Sequence, residues 1–303
     1  MPELPDITVY IESLNARVVG RKLERIQIIT PFLLRSAVPP LQSVFGRKVK
    51  SMRRIGKRIV FVLEGDLFAV LHLMLSGRLH WYPKGTRLPA RVSLAHFEFD
   101  NGTLSLTESG GKRRASLYIV QGEADLKRHD PGGLEILDSS LSQFAERLAQ
   151  GNHTLKRALT DPGLFSGIGN TYSDEILHRA RLSPFARTQQ LTAEEAQRLY
   201  DAARELLESW TQRLRAQARG EFPENIGAGK EGMAVHGRFR EPCPVCATPI
   251  QRVRYTERDA SYCPRCQTED RILADRSLSR LLKDDWPRTV EELERSILSR
   301  KPK

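Results

Sequence analysis

The chain has 303 residues, 40% of them apolar, which is enough for two domains with hydrophobic cores and argues against a disordered chain. It carries 48 Lys and Arg against 37 Asp and Glu, a formal net charge of +11. This balance favours a nucleic-acid partner, although a basic surface kept only for solubility has the same composition. We find no run of 18 apolar residues and no apolar leader, so we expect no membrane span, no secretory signal and a cytoplasmic location.

The first feature along the chain is its start, Met1-Pro2-Glu3-Leu4-Pro5-Asp6. Removal of Met1 leaves Pro2 with a free secondary amine, which can attack a sugar or carbonyl carbon and form an iminium that serves as an electron sink. A terminal amine has a reference pKa of roughly 7.7–8.0, so part of it is nucleophilic at neutral pH. Glu3 lies beside it as a proton donor or acceptor. Proline at position 2 also simply permits removal of Met1, and the six residues alone favour that simpler interpretation.

The first 130 residues predict one helix followed by many strands. Ile7, Ile11, Leu14 and Val18 recur at helical spacing, and Gly20 then provides a stop. Short strands separated by turn residues indicate a β-sandwich or barrel with the helix on one side. We predict these strands at residues 58–63, 67–73, 79–82, 95–99, 103–106 and 115–120, with Asn101-Gly102 as a hairpin turn.

The sequence Asp130-Pro131-Gly132-Gly133 ends this pattern, and helical composition follows at 140–150, 155–159, 170–180 and 193–216. Thr289 with Glu292 is a candidate capping box for a further helix near the end. The predicted fold class is α+β and multidomain. Its predicted parts are an N-terminal β-sandwich domain with the Pro2 terminus (1–130), a linker (131–150), a helical domain (151–232), a cysteine-containing domain (233–270) and a helical extension (271–303).

Four cysteines form two CxxC pairs, Cys243 with Cys246 and Cys263 with Cys266, separated by sixteen residues. This spacing is typical of two turns that bring four thiolates around one tetrahedral zinc ion. A shell of four sulfurs is closed, so we expect a structural ion. Strand composition between the pairs predicts a hairpin, with Arg258 at or near its tip, where a solvated loop arginine is the alternative reading.

A second candidate site is Gly167-Ile168-Gly169-Asn170, followed by a predicted helix. Glycines before a helix start let backbone N–H groups approach a phosphate, and Asn170 can cap the helix or donate directly. Glycines also serve in helix-to-helix turns merely to change direction, so this motif alone is weak.

Taken together, these motifs resemble the formamidopyrimidine-DNA glycosylase and endonuclease VIII family of base-excision repair enzymes. The resemblance runs from Pro2 to Cys266. It includes PELPD at the start, Gly56-Lys57 before a strand, GIGNTYSDE as a helix–two-turn–helix element, and HGRFREPCPVC with ERDASYCPRCQ around the zinc finger. Their order and spacing make chance agreement at each motif much less plausible.

The resemblance implies a bifunctional DNA glycosylase and abasic-site lyase that excises oxidised bases from double-stranded DNA. Pro2 matches the nucleophile, which attacks C1′ of the damaged nucleotide, and Glu3 matches the acid/base residue. Lys57 matches a lysine near the lesion phosphates. Asn170 and Arg258 match residues that grip the backbone around the flipped nucleotide.

The resemblance further implies that Lys156 contacts a phosphate, that Gly169 belongs to the DNA-binding turn, and that one structural zinc ion is present. We expect a monomer, associated with the nucleoid if the source is a bacterium. The alternative from another class is a protein that binds damaged or abasic DNA without catalysis.

The chain departs from the family where side chains fill the stack left by the flipped nucleotide. Family members that excise 8-oxoguanine commonly use Met, Arg and Phe, whereas here Leu75 takes the Met position, beside Met74, and no Phe follows Arg113-Arg114. These departures leave open which residues fill the void, and one alternative is that Leu75 alone inserts while the arginines contact phosphates or the estranged base. At position 6 an Asp stands where many members have Glu. The lesion preference is not determined by these residues.

Overall fold

The structure is a computed structural model and describes residues 1–89, 91–109, 113–224, 226, 231–254, 259–275, 279 and 286–299. The chain divides into two compact units. The first contains residues 1–133 and 207–229, and the second contains residues 134–206 and 230–303. None of the described helices is long and apolar enough to cross a membrane.

The first unit is built around eight antiparallel strands in the order β5-β7-β6-β1-β2-β3-β4-β8. Strands β1 and β2 pair at only two positions, and this junction separates two four-stranded halves. Phe61 of β3 stacks on Phe97 of β6 with ring centroids 5.5 Å apart, so the halves face each other as the predicted sandwich. The strands are Lys22–Ile28, Arg47–Ile55, Arg58–Leu63, Leu67–His72, Gly77–Pro83, Ser93–Phe99, Gly102–Glu108 and Ser116–Gln121.

Helix α1 (Leu4–Val18) covers the sandwich and carries the buried face that its spacing predicts. Ile7, Leu14 and Val18 are each fully buried in the main core. Helix α2 (Glu123–Lys127) follows β8 and buries Leu126 in a smaller cluster. The helical N-terminal segment and the strands thus share one core, which fixes the position of residues 2 and 3 at the start of α1.

Four described helices precede or follow, along the chain, the segment with the predicted phosphate clamp. They are α3 (Leu141–Ala149), α4 (Leu155–Thr160), α5 (Asn170–Arg179) and the long α6 (Ala193–Ala218), which continues into the first unit from Leu207. The capping boxes of Ser140 with Gln143 and of Thr192 with Glu195 begin α3 and α6.

The cysteine-containing segment forms a hairpin of β9 (Gln251–Arg254) and β10 (Asp259–Tyr262), followed by α7 (Pro264–Thr268). Helix α5 packs against β10. In the extension, α8 (Val290–Ser299) begins after Thr289, whose hydroxyl accepts from the Glu292 amide at 3.3 Å. The Glu292 carboxylate accepts from the Arg288 amide at 2.6 Å, whereas the predicted capping box has the Thr289 amide as its donor.

Two features differ from the predicted division of the chain into domains. The helix predicted at 140–150 is present as α3, but its Phe144 is buried against Phe165, so most of the predicted linker belongs to the second unit. Residues 207–229 cluster with the β-sandwich instead of with the other helices. This boundary could not be predicted from the helical pattern, because α6 continues through it without a break.

Candidate functional site

Pro2 and Glu3 lie buried at the start of α1, and Glu3 is only 1% exposed. The Glu3 amide donates to Asp6 Oδ2 at 2.8 Å, and the Glu3 carboxylate accepts from the Asp6 amide. These two bonds form a capping box that orients the Glu3 side chain. The shorter Asp6 therefore makes the contact at the helix start, where many family members have Glu.

Lys57 follows Gly56 in the turn between β2 and β3, where Gly56 adopts φ +57°. The next residue, Arg58, pairs across the sheet with His72. Burial, together with the charges of Arg58 and Lys57, lowers the pKa of His72 to about 4. His72 is thus neutral at pH 7, so the positive charge at this edge belongs to Lys57 and Arg58.

Leu75 projects from the tight turn between β4 and β5 and is 57% exposed, which is unusual for a large apolar side chain. Met74 beside it adopts a left-handed φ of +52°. The Gly77 amide closes the turn by donating to Leu73 O at 3.0 Å. A Cβ at Gly77 would lie 2.3 Å from that oxygen, so only glycine fits there.

A buried carboxylate that the motifs did not reveal joins this turn to the arginine segment. Glu108, at the end of β7, is 2% exposed. It accepts from Ser76 Oγ at 3.2 Å, from the Arg114 amide at 2.9 Å and from the Ala115 amide at 3.1 Å. Glu108 therefore fixes Leu75 and the Arg113–Arg114 pair relative to each other.

Arg113 and Arg114 differ in the groups that form their hydrogen bonds. The Arg113 guanidinium donates to Thr30 Oγ1 and to Arg91 O, both at 3.2 Å. Arg113 and Arg114 are both exposed. The Arg113 guanidinium is thus held by protein acceptors at the surface, whereas the Arg114 backbone amide is held by Glu108.

A cavity of about 800 Å³ lies at the C-terminal end of α6 in the first unit. Its wall includes Phe222, whose ring lies 5.9 Å from that of Tyr10 on α1, and the charged residues Arg213, Arg219, Glu221 and Glu224. Among the described residues, this wall includes neither Pro2 nor Glu3. The described wall therefore consists of residues between 213 and 226, and Pro2 and Glu3 are not part of it.

In the second unit, Lys156 on α4 is buried and its ammonium meets three acceptors of α5. Nζ lies 2.7 Å from Asn170 O, 2.8 Å from Ser173 Oγ and 2.5 Å from Asp174 Oδ1. The other Asp174 oxygen lies 2.7 Å from His236 Nδ1. Lys156 therefore holds the first turn of α5 and does not present its charge to solvent.

Gly169 is the N-cap of α5, and Asn170 is its first residue. The Asn170 Oδ1 atom is buried and has no hydrogen-bond partner among the described residues. An amide group can rotate to exchange its oxygen for its NH2 group, and the two are hard to tell apart. The start of α5 thus has a buried side-chain oxygen without a hydrogen-bond partner among the described residues.

A glutamate in the middle of α5 ties the helix to the segment before the first cysteine. Glu175 accepts from the amides of Ala234, Val235 and His236 at 2.7, 2.9 and 2.8 Å. Burial raises the pKa of Glu175, although these three donors act in the opposite direction. These three hydrogen bonds connect helix α5 to the segment before Cys243.

The four predicted cysteines come together. All four are free thiols, and their sulfurs lie within 4.8 Å of one another, as the spacing predicts. The individual separations include 3.9 Å for Cys243–Cys266 and 3.3 Å for Cys246–Cys263. Tetrahedral zinc with Zn–S bonds of about 2.3 Å needs sulfurs roughly 3.8 Å apart, so this cluster fits one structural zinc ion.

Helix α5 also reaches this metal site. His178 Nε2 lies 3.4 Å from Cys243 Sγ, and the Val245 amide donates to the same sulfur at 3.4 Å. Such bonds to a metal-binding sulfur fix its orientation. Arg258, predicted near the hairpin tip, lies outside the described residues.

Comparison with known proteins identifies the family. Residues 1–113 match the model of the formamidopyrimidine-DNA glycosylase N-terminal domain, residues 133–216 its H2TH domain, and residues 240–268 a zinc finger found in FPG and IleRS. The formamidopyrimidine-DNA glycosylase of Solibacter usitatus is 34% identical over 275 residues, which cover 88% of this chain and 99% of that one. This chain belongs to the formamidopyrimidine-DNA glycosylase family.

Further relatives agree with this assignment. The formamidopyrimidine-DNA glycosylase of Thermus thermophilus is 33% identical over 279 residues, covering 89% of this chain and 99% of its own. The crystal structure of a MutM (Fpg) protein from Thermus thermophilus aligns with a TM-score of 0.74 and 31% identity, over 88% of this chain and 98% of that one. A Lactococcus lactis FPG mutant, crystallised with DNA containing Fapy-dG, has the same fold, with a TM-score of 0.78 at 22% identity over 88% and 100% of the chains. The predicted fold class, family and zinc site are confirmed.

Proposed function

We propose that this protein is a DNA glycosylase for oxidised bases that also cleaves the strand at abasic sites, with the amine of Pro2 as its nucleophile. Membership of the formamidopyrimidine-DNA glycosylase family supports the glycosylase activity on damaged DNA. The observation that carries the mechanism is the placement of Pro2 and Glu3. Both are buried at the capped start of α1, where the terminus is held and partly desolvated.

In the proposed reaction the Pro2 nitrogen forms a bond to C1′ and the glycosidic bond breaks, so the base leaves with a proton. The sugar ring opens, and the product is an iminium between Pro2 and C1′. Its positive charge acidifies the C2′ proton, whose loss expels the 3′ phosphate by β-elimination. A second elimination can expel the 5′ phosphate before water releases the sugar from Pro2.

This chemistry has one condition. While Met1 is attached, the Pro2 nitrogen is an amide and has no nucleophilic lone pair. The printed sequence begins with Met1, so the active species is the chain from which Met1 has been removed.

Glu3 is the proposed acid/base group, because it is adjacent to the amine and is oriented by Asp6. The bond from the Glu3 amide to Asp6 fixes the backbone between Pro2 and the helix. A carboxyl group held at this position can give a proton to the opening sugar and take it back in a later step.

Phosphate contacts are proposed from both units. Lys57 supplies a compact charge at the β2–β3 turn, next to the neutral His72. Asn170 supplies an amide at the N-terminus of α5, where the helix dipole also favours an anion. We propose that Lys156 supports this contact through Asn170 O, and that Arg258 adds a contact from the zinc hairpin.

The exposed Leu75 is proposed to fill the space of the extruded nucleotide. An apolar side chain inserted between base steps compensates for lost stacking. Both arginines are exposed, but the Arg113 guanidinium already donates to Thr30 and to Arg91 O, so we propose Arg114 as the better candidate for a contact to DNA.

Two variants test this proposal on a duplex with one oxidised base. Pro2→Gly keeps a terminal amine, which is primary and lacks the proline ring, so we expect slower base excision. Glu3→Gln removes the acid/base group, so we expect loss of base excision with retained DNA binding. Normal excision by Glu3→Gln would contradict the role of Glu3. Binding of abasic DNA by the wild-type chain without any strand cleavage would favour the non-catalytic alternative.

A further inference from the structure

The chain continues beyond the part that the family models match. The zinc-finger match ends at residue 268, and relatives that align over 99% of their own length cover 88% of this chain. Residues 269–303 therefore have no counterpart in the matched family models, and the proposed catalytic mechanism assigns no role to them.

The described part of this extension folds back on itself. Arg271 and Thr289 form an antiparallel bridge, the Ile272 amide donates to Arg288 O at 2.8 Å, and the Val290 amide donates to Asp270 O at 3.0 Å. Val290 is 1% exposed at the start of α8. The two ends of the described extension are thus hydrogen-bonded to each other near α7.

Between these ends the extension contacts both strands of the zinc hairpin. The Leu273 amide donates to the Tyr262 hydroxyl at 2.8 Å, and the Arg254 amide donates to Asp275 Oδ2 at 2.8 Å. Tyr262 ends β10 on the side of the cysteines, whereas Arg254 ends β9 on the side of the strand connection. Residues 273–275 therefore reach opposite ends of the hairpin.

Each contact has one buried partner, because Asp275 and Tyr262 are each 1% exposed. Breaking such a bond is costly, because it leaves the buried carboxylate or hydroxyl oxygen without its donor. The two-stranded hairpin has only four residues in each strand and needs such support.

We propose that residues 270–275, which are hydrogen-bonded to residues 288–290, are a brace for the zinc hairpin and that Asp275 is its positioning residue. Asp275 holds the last residue of β9 through one backbone hydrogen bond, and zinc fixes the opposite end of the hairpin. The consequence for DNA binding rests on the proposed function, in which the hairpin contacts the backbone of damaged DNA.

Three variants of the full-length, zinc-loaded chain test the brace. Asp275→Ala removes the acceptor, Asp275→Asn keeps an acceptor oxygen, and Glu291→Ala removes an equal charge from an exposed position of α8. The first readout is amide hydrogen exchange at Arg254. Because Asp275→Ala leaves the Arg254 amide without its acceptor, exchange of this amide should rise about ten- to a hundredfold. We expect Asp275→Asn and Glu291→Ala to stay near the wild-type rate.

The second readout is affinity for a duplex with a stable abasic-site analogue, at fixed salt and with zinc content verified. Asp275→Ala should weaken binding about five- to twentyfold, since its hairpin must be ordered on binding. The trapping rate of a true abasic site at saturating DNA should not change. Asp275→Asn should restore affinity.

Unchanged exchange at Arg254 in Asp275→Ala would overturn the brace. Equal behaviour of Asp275→Asn and Asp275→Ala would also overturn it, because charge and not the hydrogen bond would then be the cause. A wild-type chain that binds no abasic duplex would refute the proposed function, whereas the exchange experiment would still decide about the brace.

Discussion

Ser76 and Glu108 are joined by a hydrogen bond of 3.2 Å, and this contact links the turn with Leu75 to the segment with Arg113 and Arg114. The two segments are more than 30 residues apart in sequence. A buried acceptor that serves a hydroxyl and two amides holds them in one arrangement. The proposed contacts of Leu75 and Arg114 with DNA therefore depend on a residue that does not itself face the DNA.

Glu108→Ala should lower the free energy of unfolding by about 2–4 kcal/mol, because it leaves two amides without their acceptor. Binding of an abasic-analogue duplex should also weaken, since Leu75 loses its fixed position. Glu98→Ala is the matched control, because Glu98 pairs with Arg25 on an exposed face of the same sandwich. Chemical denaturation and a binding titration measure both effects, and equal losses in the two variants would count against a specific role of Glu108.

Lys156→Met should lower the free energy of unfolding by about 3–5 kcal/mol, because it leaves Asp174 without its cationic partner in the buried network. Each direct phosphate contact contributes about 0.9 to the slope of log affinity against log salt. We expect no phosphate contact by Lys156 and an unchanged slope in Lys156→Met, because the buried Lys156 ammonium is hydrogen-bonded to three acceptors of α5. A slope smaller by about one unit would instead indicate direct phosphate binding by Lys156.

His72 gives the first unit a stability that depends on pH. Its folded pKa of about 4 lies below the reference value of 6.5, so the folded state favours the neutral ring. The stability from this residue is fully present above pH 6.5 and is lost as pH falls toward 4, a loss of up to ~3 kcal/mol. His72→Gln should reduce the slope of stability against pH in this window, which denaturant unfolding at several pH values can measure. An unchanged slope would contradict the assignment to His72.

Some elements followed from the sequence because their patterns are local. Strand β3 was predicted at its observed bounds, Arg58–Leu63, and α5 and α6 differ from prediction only at their C-terminal ends. Strands β1 and β2 were missed. In β2 the buried residues Val49, Met52 and Ile55 recur every third position, since a register shift between Val49 and Ser51 interrupts the alternation.

The candidate site likewise contains residues that local patterns predict and residues that they do not. The zinc cluster was predictable because CxxC pairs have a fixed spacing. Glu108, Asp174 and Asp275 were not, because a single acidic residue has no pattern, and its partners lie 32, 18 and 21 residues away in sequence. Their importance comes from burial, which only the tertiary structure determines.

Removal of one cysteine should act through the hairpin. In Cys246→Ala the zinc shell is incomplete, so we expect loss of bound zinc and of DNA binding, because folding of this segment is coupled to the metal. Zinc content by atomic absorption and a binding titration check this expectation. The first unit should keep its fold, which near-UV circular dichroism of its aromatic core can verify. Unchanged zinc content and binding would refute the structural role of the ion.

The central claim is that the Pro2 nitrogen bonds to C1′ of the damaged nucleotide. The direct measurement incubates the chain with duplex DNA that contains one abasic site, reduces the mixture with borohydride, and locates the sugar by peptide mass spectrometry. A matched preparation that keeps an additional residue before Pro2 is the control, since its proline nitrogen is an amide. We predict an adduct on Pro2 in the processed chain and none in the control. No adduct in the processed chain, or an adduct on a lysine in both preparations, would contradict the account.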